Sequence, residues 1–399
     1  MEVRRKEFMK KKFLILFLVI LVVVICCKKP YTPNAINVPN NYLVVEGTIN
    51  TGQDSTIFKL SRTVNLSGNT SSNPVLQAQV TVLDNQNGSY PLTELGNGRY
   101  GAPPLNLDVT RQYKLSIKTA DGREYASDLI TIKPTPPIDS VGFTIQNNGL
   151  QIYANAHDAT NKTRYYRWEY QETWQFHAKY QSQWVSDGTE MVLRTPDQDI
   201  YSCFGNDFST SIILGSTAKL SQDIIDHNPI VLVEPTSEKI ETRYSILVKQ
   251  YALSTDEYNF WVNLKKNTEQ LGSIFDPQPS NINGNIHCIS NPSEPVIGYI
   301  GATNVQQKRI FVRSDQLPFT WVPTYPYTCE LDSIFYCAGK ACANQVAVLL
   351  IPNNPPLYYA VSALPSPPGP PGFLGSSREC VDCTIRGTKK RPDFWIDND

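Results

Sequence analysis

Between residues 133 and 138 the chain reads Lys133-Pro-Thr-Pro-Pro-Ile138. Proline cannot donate to a sheet ladder, and clustered prolines stiffen the backbone that holds them. No central strand can run through this point. The chain is therefore expected to fold as two bodies, one over 41–133 and one over 138–399.

Both bodies show the two-residue period of half-buried strands. In the first, Tyr113, Leu115 and Ile117 point one way and Lys114, Ser116 and Lys118 the other. Tyr42-Leu-Val-Val-Glu-Gly-Thr-Ile reads as a strand. So does Ser55 to Val64, with Phe58, Leu60 and Val64 on one side, and so does Val75 to Leu83. Asp84-Asn-Gln-Asn-Gly88 is a turn signal, and Asp121-Gly122 predicts a two-residue hairpin turn leading to Tyr125 and then Leu129 to Ile132. This many short strands in about 90 residues predicts an immunoglobulin- or transthyretin-like β-sandwich. In the second body the strongest strands are Leu150 to Ala156, Arg164 to Phe176 and Arg243 to Leu253. Ser254-Thr-Asp-Glu257 is a capping box and predicts a helix over 255–271, with Tyr258, Trp261, Val262 and Leu271 as its apolar stripe. Residues 352–372, rich in Pro-Pro pairs, read as a long irregular loop. The expected class is mainly β, a sandwich followed by a larger β-rich domain with one helix.

Charged residues make up 18% of the chain and aromatics 11%, with 21 Tyr and 29 Pro. That is the balance of an ordered β-rich protein rather than a disordered one. The amino-terminal end is different. Arg4, Arg5, Lys6, Lys10, Lys11 and Lys12 precede thirteen uninterrupted apolar residues, Phe13 to Ile25. A membrane span needs about 20, so this run fits the core of a secretory leader instead. It ends at Cys26-Cys27. Cys27 follows a small residue, whereas Cys26 follows bulky Ile25, so residues 1–26 read as a lipoprotein signal and Cys27 as the lipidated residue. Several acyl chains on one cysteine hold a protein stably at a membrane. Residues 27–40 carry three prolines and read as a lipidated spacer. The leader takes six Lys/Arg and two Asp/Glu, which leaves 30 basic and 35 acidic residues in the remainder. A mildly acidic chain without basic clusters excludes nucleic acid as an expected partner.

Several stretches resemble an uncharacterised family of Bacteroidota lipoproteins, a domain of unknown function numbered four-two-four-nine. They are Tyr42-Leu-Val-Val-Glu-Gly, Tyr100-Gly-Ala-Pro-Pro-Leu-Asn-Leu, Lys133-Pro-Thr-Pro-Pro-Ile-Asp-Ser-Val and Arg164-Tyr-Tyr-Arg-Trp-Glu-Tyr. Ser245-Ile-Leu-Val-Lys-Gln-Tyr, Leu271-Gly-Ser-Ile-Phe-Asp-Pro-Gln-Pro-Ser, and Cys380-Val-Asp-Cys383 through Arg391-Pro-Asp-Phe-Trp395 extend the likeness across nearly the whole mature chain. The resemblance implies an outer-membrane lipoprotein, often encoded near TonB-dependent transporters. It brings no catalytic or binding residues with it. Lys28-Lys29 after the anchor departs from the acidic surface-export tract of many relatives, so the surface and the periplasmic leaflet both stay open.

Seven cysteines follow Cys27: Cys203, Cys288, Cys329, Cys337, Cys342, Cys380 and Cys383. Disulfides are the default in an exported, oxidising compartment. The expected pairing is Cys203 with Cys288, with the others stapling the C-terminal region. The alternative is a zinc site from Cys337-x4-Cys342 and Cys380-x2-Cys383, a spacing similar to a zinc ribbon; the compartment argues against it, and no metal or cofactor is expected. Tyr166, Trp168, Tyr170, Trp174 and Phe176 share one face of a strand, interrupted by Glu172. They read as the wall of a sandwich core with Glu172 at a bulge or rim. The sharper alternative makes Trp168, Tyr170 and Trp174 an exposed platform for a glycan or a peptide. His157, His177, His227 and His287 are scattered, and no nucleophile, metalloprotease or phosphate-loop pattern is present. The leading expectation is a membrane-tethered, non-catalytic accessory protein of a TonB-dependent transporter. A glycan- or peptide-binding lipoprotein is the alternative, and an extracellular hydrolase stands behind both.

Overall fold

Alternation along the first strands sets the first core. The computed structural model describes residues 41–64, 73–269, 284–336, 345–350, 358–365 and 371–396. Cys27 with the expected leader and spacer, Leu271, Cys337 and Cys342 lie outside the described residues. The first body is built from β1 (Leu43–Asn50), β2 (Thr56–Arg62), β3 (Gln79–Asp84), β4 (Ser89–Gly96), β5 (Arg99–Ala102), β6 (Gln112–Lys118), β7 (Glu124–Ser127) and β8 (Ile130–Thr131). Their inward residues, among them Leu43, Val45, Phe58, Leu60, Val82, Tyr113, Leu115 and Ile117, are buried in one core. β4 belongs to both halves of the sandwich: Ser89 to Leu92 pair with β3, and Thr93 to Gly96 pair with β5. Asn97 and Gly98, both with positive φ, close the β4–β5 hairpin, and a side chain at Gly98 would strike the Leu60 carbonyl. The hairpin at Asp121-Gly122 is placed as expected but built differently. Thr119 N–H bonds the Arg123 carbonyl, so three residues lie inside the loop, and only Gly122 takes positive φ there.

The second body is another sandwich. One sheet runs β16 (Ile224–Val233), β10 (Gly149–His157), β9 (Ile138–Gln146). The other runs β14 (Ser202–Phe208), β11 (Tyr165–His177), β17 (Arg243–Ala252), β20 (Gln306–Arg313), with β15 (Ile213–Ser216) beside β11. Leu150, Ile152, Ala154 and Ala156 of one sheet face Tyr166, Trp168, Phe176, Tyr244, Ile246 and Val248 of the other. Helix α1 (Thr255–Glu269) follows β17 and covers the outer face of the second sheet. Ser254 Oγ accepts from the Glu257 N–H at 3.1 Å, as the capping box requires. The buried face of the helix differs from the expected stripe: Glu257 and Phe260 are buried, while Tyr258, Trp261 and Val262 are only half-buried. A smaller sheet of β21 (Asp332–Phe335), β23 (Gly372–Ser376) and β22 (Tyr359–Ala363) lies beside the β12 (Trp184–Ser186)–β13 (Met191–Leu193) hairpin. The span expected as a long irregular loop thus holds a strand, β22.

The largest departure from expectation lies in residues 285–303, which read as part of the second body. In the structure they return to the first. β18 (Ile286–Cys288) pairs antiparallel with β7, and β19 (Gly301–Thr303) pairs parallel with β1. Ile286, Cys288, Val296, Ile300 and Ala302 complete the first core. This overturns the expected pairing of Cys203 with Cys288. Cys288 is buried in the first core as a free thiol, while Cys203 on β14 bonds Cys383, 180 residues away. A second disulfide joins Cys329 to Cys380. Cys380 and Cys383 are thereby committed to different partners and cannot ligate zinc together.

A cross-link across so long a loop restricts the unfolded chain strongly. The Cys203→Ala, Cys383→Ala double substitution is expected to cost roughly 2–5 kcal/mol in urea unfolding. An unchanged midpoint would show that the sandwich holds without the staple.

Candidate functional site

The aromatic row of β11 is the wall of a sandwich core, as expected. Trp168 is 1% exposed and Trp174 9%, and Tyr166 and Phe176 are fully covered. The Trp168 indole N–H donates to Gln250 Oε1 at 2.9 Å. Tyr170 alone is half-buried. An exposed platform of Trp168, Tyr170 and Trp174 is therefore excluded, because the second sheet packs the tryptophans inward. Glu172 is neither at a bulge nor at a rim. It is 1% exposed in regular register, and it accepts from Lys239 Nζ at 2.5 Å and from Tyr244 Oη at 2.8 Å. Lys239 also bonds Asp207 and lies over the Trp174 ring. The carboxylate that breaks the aromatic pattern is thus the centre of a buried, satisfied ion pair.

The opposite face of β11 and β17 carries the site that sequence reasoning missed. A cleft of about 800 Å³ lies over Arg167, Glu169, Lys249 and Tyr251. One wall is the β1–β2 side of the first sandwich together with residues 297–299; the other is α1, and the loop 208–212 forms a rim. Arg167 is 7% exposed. Its guanidinium lies 4.3 Å from the Tyr251 ring centre and 4.4 Å from that of Trp261, and it donates to Glu169 Oε1. Tyr251 Oη donates to the other oxygen, Oε2, at 2.7 Å. Arg167 holds the Glu169 carboxyl below its ordinary range against the opposing effect of burial. The rim is tied to the helix, since Glu269 accepts from the Ile212 N–H at 2.6 Å and Lys265 donates to the Ile212 carbonyl at 2.5 Å. The signal for this site was present in the period of two: Arg167 and Glu169 alternate with Trp168 and Tyr170. Only the sheet partner and the helix show that this polar face is enclosed.

Behind the cleft, Glu257 faces Gly301 of β19. A β-carbon there would sit 2.6 Å from its Oε1, so the Glu257 side chain would have to shift to admit one. Burial pushes the Glu257 carboxyl up to about 7, and the Arg167 charge, Trp261 and the Ser254 backbone only partly oppose it. The four histidines do not converge. His157 pairs with Asp139 at 2.8 Å, His227 with Asp226 at 2.6 Å and His287 with Asp128 at 3.1 Å, while His177 stacks on Tyr201. Among the described residues no three His, Cys, Asp or Glu side chains form a group able to hold a metal ion.

Two outcomes follow from these positions. Trp168→Ala should cost about 3–5 kcal/mol of stability in chemical unfolding, as removal of a core aromatic does; a loss near zero would mean that the side chain is not core. Glu257 binds its proton more tightly folded than unfolded, so it adds no penalty below about pH 4.5 and destabilises progressively as pH rises through about 7. Glu257→Gln should therefore be more stable than the parent at pH 8, by up to about 3 kcal/mol, with the gap closing toward pH 4.5 in thermal melts.

Comparison with known proteins places this architecture. No curated protein matches the chain. One family model matches residues 28–309, which takes in both sandwiches, α1 and the returning strands. The chain belongs to the family described as Domain of unknown function (DUF4249).

Proposed function

We propose that this protein is a lipid-anchored, non-catalytic lipoprotein of the outer membrane that serves a TonB-dependent transporter. The observation that carries the reading is the pairing of a leader that ends at Cys27 with two disulfides in the folded chain. Disulfides of this kind persist in oxidising compartments, and the leader supplies both export and an attachment point. The Pro-rich residues 28–40 suit a spacer between anchor and sandwich. The transporter half of the reading comes from the likeness of the sequence to Bacteroidota lipoproteins. Two sandwiches joined by shared strands would serve as a rigid body for such a partner.

The test has two parts. Metabolic labelling with an alkyne fatty acid should mark the parent protein and the Cys26→Ser variant but not Cys27→Ser, which should leave the membrane fraction. Affinity purification in mild detergent should recover a β-barrel transporter in about equal amount. Labelling of Cys27→Ser would sink the anchor assignment, and recovery of the lipoprotein alone would sink the accessory role.

A further inference from the structure

The cleft over Arg167 and Lys249 is built from both sandwiches and α1, and its chemistry is specific enough to name a ligand class. Two features set its polarity. Both oxygens of Glu169 are already taken, by Arg167 and by Tyr251. Lys249 stands opposite Glu169 in the β11–β17 register, where its charge helps hold that carboxyl down, and among the described residues its side chain makes no hydrogen bond or salt bridge. Arg167, more than nine-tenths buried, has no partner for its Nε. The floor therefore offers one ammonium that makes no hydrogen bond and one incompletely satisfied guanidinium, beside a Glu169 carboxylate whose oxygens are both in use. Asp54, on the β1–β2 connection, and Glu46 of β1 line the wall of the first sandwich. They supply negative charge on that side.

The remaining surface mixes branched aliphatic side chains with the aromatic rings of Phe208, Phe260, Trp261 and Tyr299. Val44, Ile57, Ile212, Leu264, Ile297 and Val305 line the walls, and Ile57 is 39% exposed. A neutral sugar brings no carboxylate for the floor cations, and its hydroxyls would lose water against the aliphatic parts of the walls without gaining partners. A plain acyl chain would leave Gln171, Thr48 and Ser209 to Ser211 facing hydrocarbon. An extended peptide meets all three demands: apolar side chains for the walls, backbone amides for the hydroxyls and amides of the lining, and a carboxylate for the floor cations.

We propose that this cleft binds short peptides with apolar side chains, taking the ligand carboxylate at Lys249 and Arg167. Arg167 of β11 and Lys249 of β17 lie on the face of the sheet opposite the buried aromatic row. The inference stands apart from the anchor and the transporter, because a cleft can hold a peptide whether or not a β-barrel is present.

The experiment incubates the full chain, purified in detergent, with a pool of random-sequence tetrapeptides bearing free carboxyl ends, and reads retained ligands by native mass spectrometry. Retention of peptides enriched in Leu, Ile, Val and Phe is expected. C-terminal amidation of the pool, or the Lys249→Ala substitution, should each weaken retention by about tenfold, the scale of one charge-assisted contact. Ile57→Asp, at a partly exposed wall position, should also reduce it, with an unchanged melting temperature showing that both variants fold. A maltooligosaccharide pool run in parallel should not be retained. Absence of retained peptide, equal retention by Lys249→Ala, or preferential retention of the oligosaccharides would overturn the proposal. None of these outcomes bears on lipidation or on recovery of a transporter.

Discussion

The strands that leave the second sandwich and return to the first, β18 and β19, hold the two bodies as one. The parallel pairing of β19 with β1 spans in sequence every strand of the second sandwich except β20, the kind of pairing that a parallel ladder's long crossover requires. The two connections between the bodies then bond to each other. The Lys133 N–H donates to the Ala302 carbonyl, Thr303 Oγ1 donates to the Lys133 carbonyl at 2.6 Å, and the Thr135 N–H reaches Asn304 Oδ1 at 2.7 Å. Gln250 of β17 adds a bond to the Pro136 carbonyl at 2.9 Å. The proline cluster that separates the bodies in sequence is thus clamped in space. Its missing N–H groups cost nothing here, because the neighbouring residues carry the bonds.

That clamp makes a second feature affordable to the fold. The sheet of β11 and β17 carries charge on both faces: Glu172 with Lys239 toward the core, and Arg167 with Glu169 toward the cleft. At the far end of the same outer face Arg243, also buried, stacks between Phe311 and Trp395. Buried charge of this kind adds little net stability. It does demand one arrangement of partners, and here each guanidinium is held flat by aromatic rings contributed by helix or chain end. Trp261 from α1 and Trp395 from the C-terminal segment each cap one end of the face. The cleft lies over the Trp261 end of this face, at Arg167, Glu169, Gln171, Lys249 and Tyr251, while Thr173 and Ser245 toward Trp395 are buried.

Much of this was legible locally. The inward row of Tyr113, Leu115 and Ile117, the bounds of β10, β11 and β17, and the capped start of α1 at Ser254 all follow from side-chain period and backbone chemistry within a few residues. The failures share one cause. Pairing Cys203 with Cys288 was wrong because residues 285–303 carry no local mark of the sandwich they join. Phe260 was missed as the buried helix residue because its partner, Tyr299, lies on that same returning segment. Glu172 looked like a defect in an apolar row because Lys239 and Tyr244 are far away in sequence. The cleft is not legible locally because an alternating strand has two faces, and its period does not say that a helix and a second sandwich enclose the polar one.

By itself the sequence determined the class of elements and the β-rich character, since each depends on composition or on neighbours along the chain. The tertiary structure decided which cysteines meet, which face of β11 is sealed, and where a ligand could enter. Those outcomes turn on contacts between residues more than a hundred positions apart, such as Cys203 with Cys383 and Lys133 with Ala302. No local period encodes such a contact; it is set by packing, which buries the tryptophan row between two sheets and leaves the Arg167 face to be walled in by a strand pair, a helix and a returning segment.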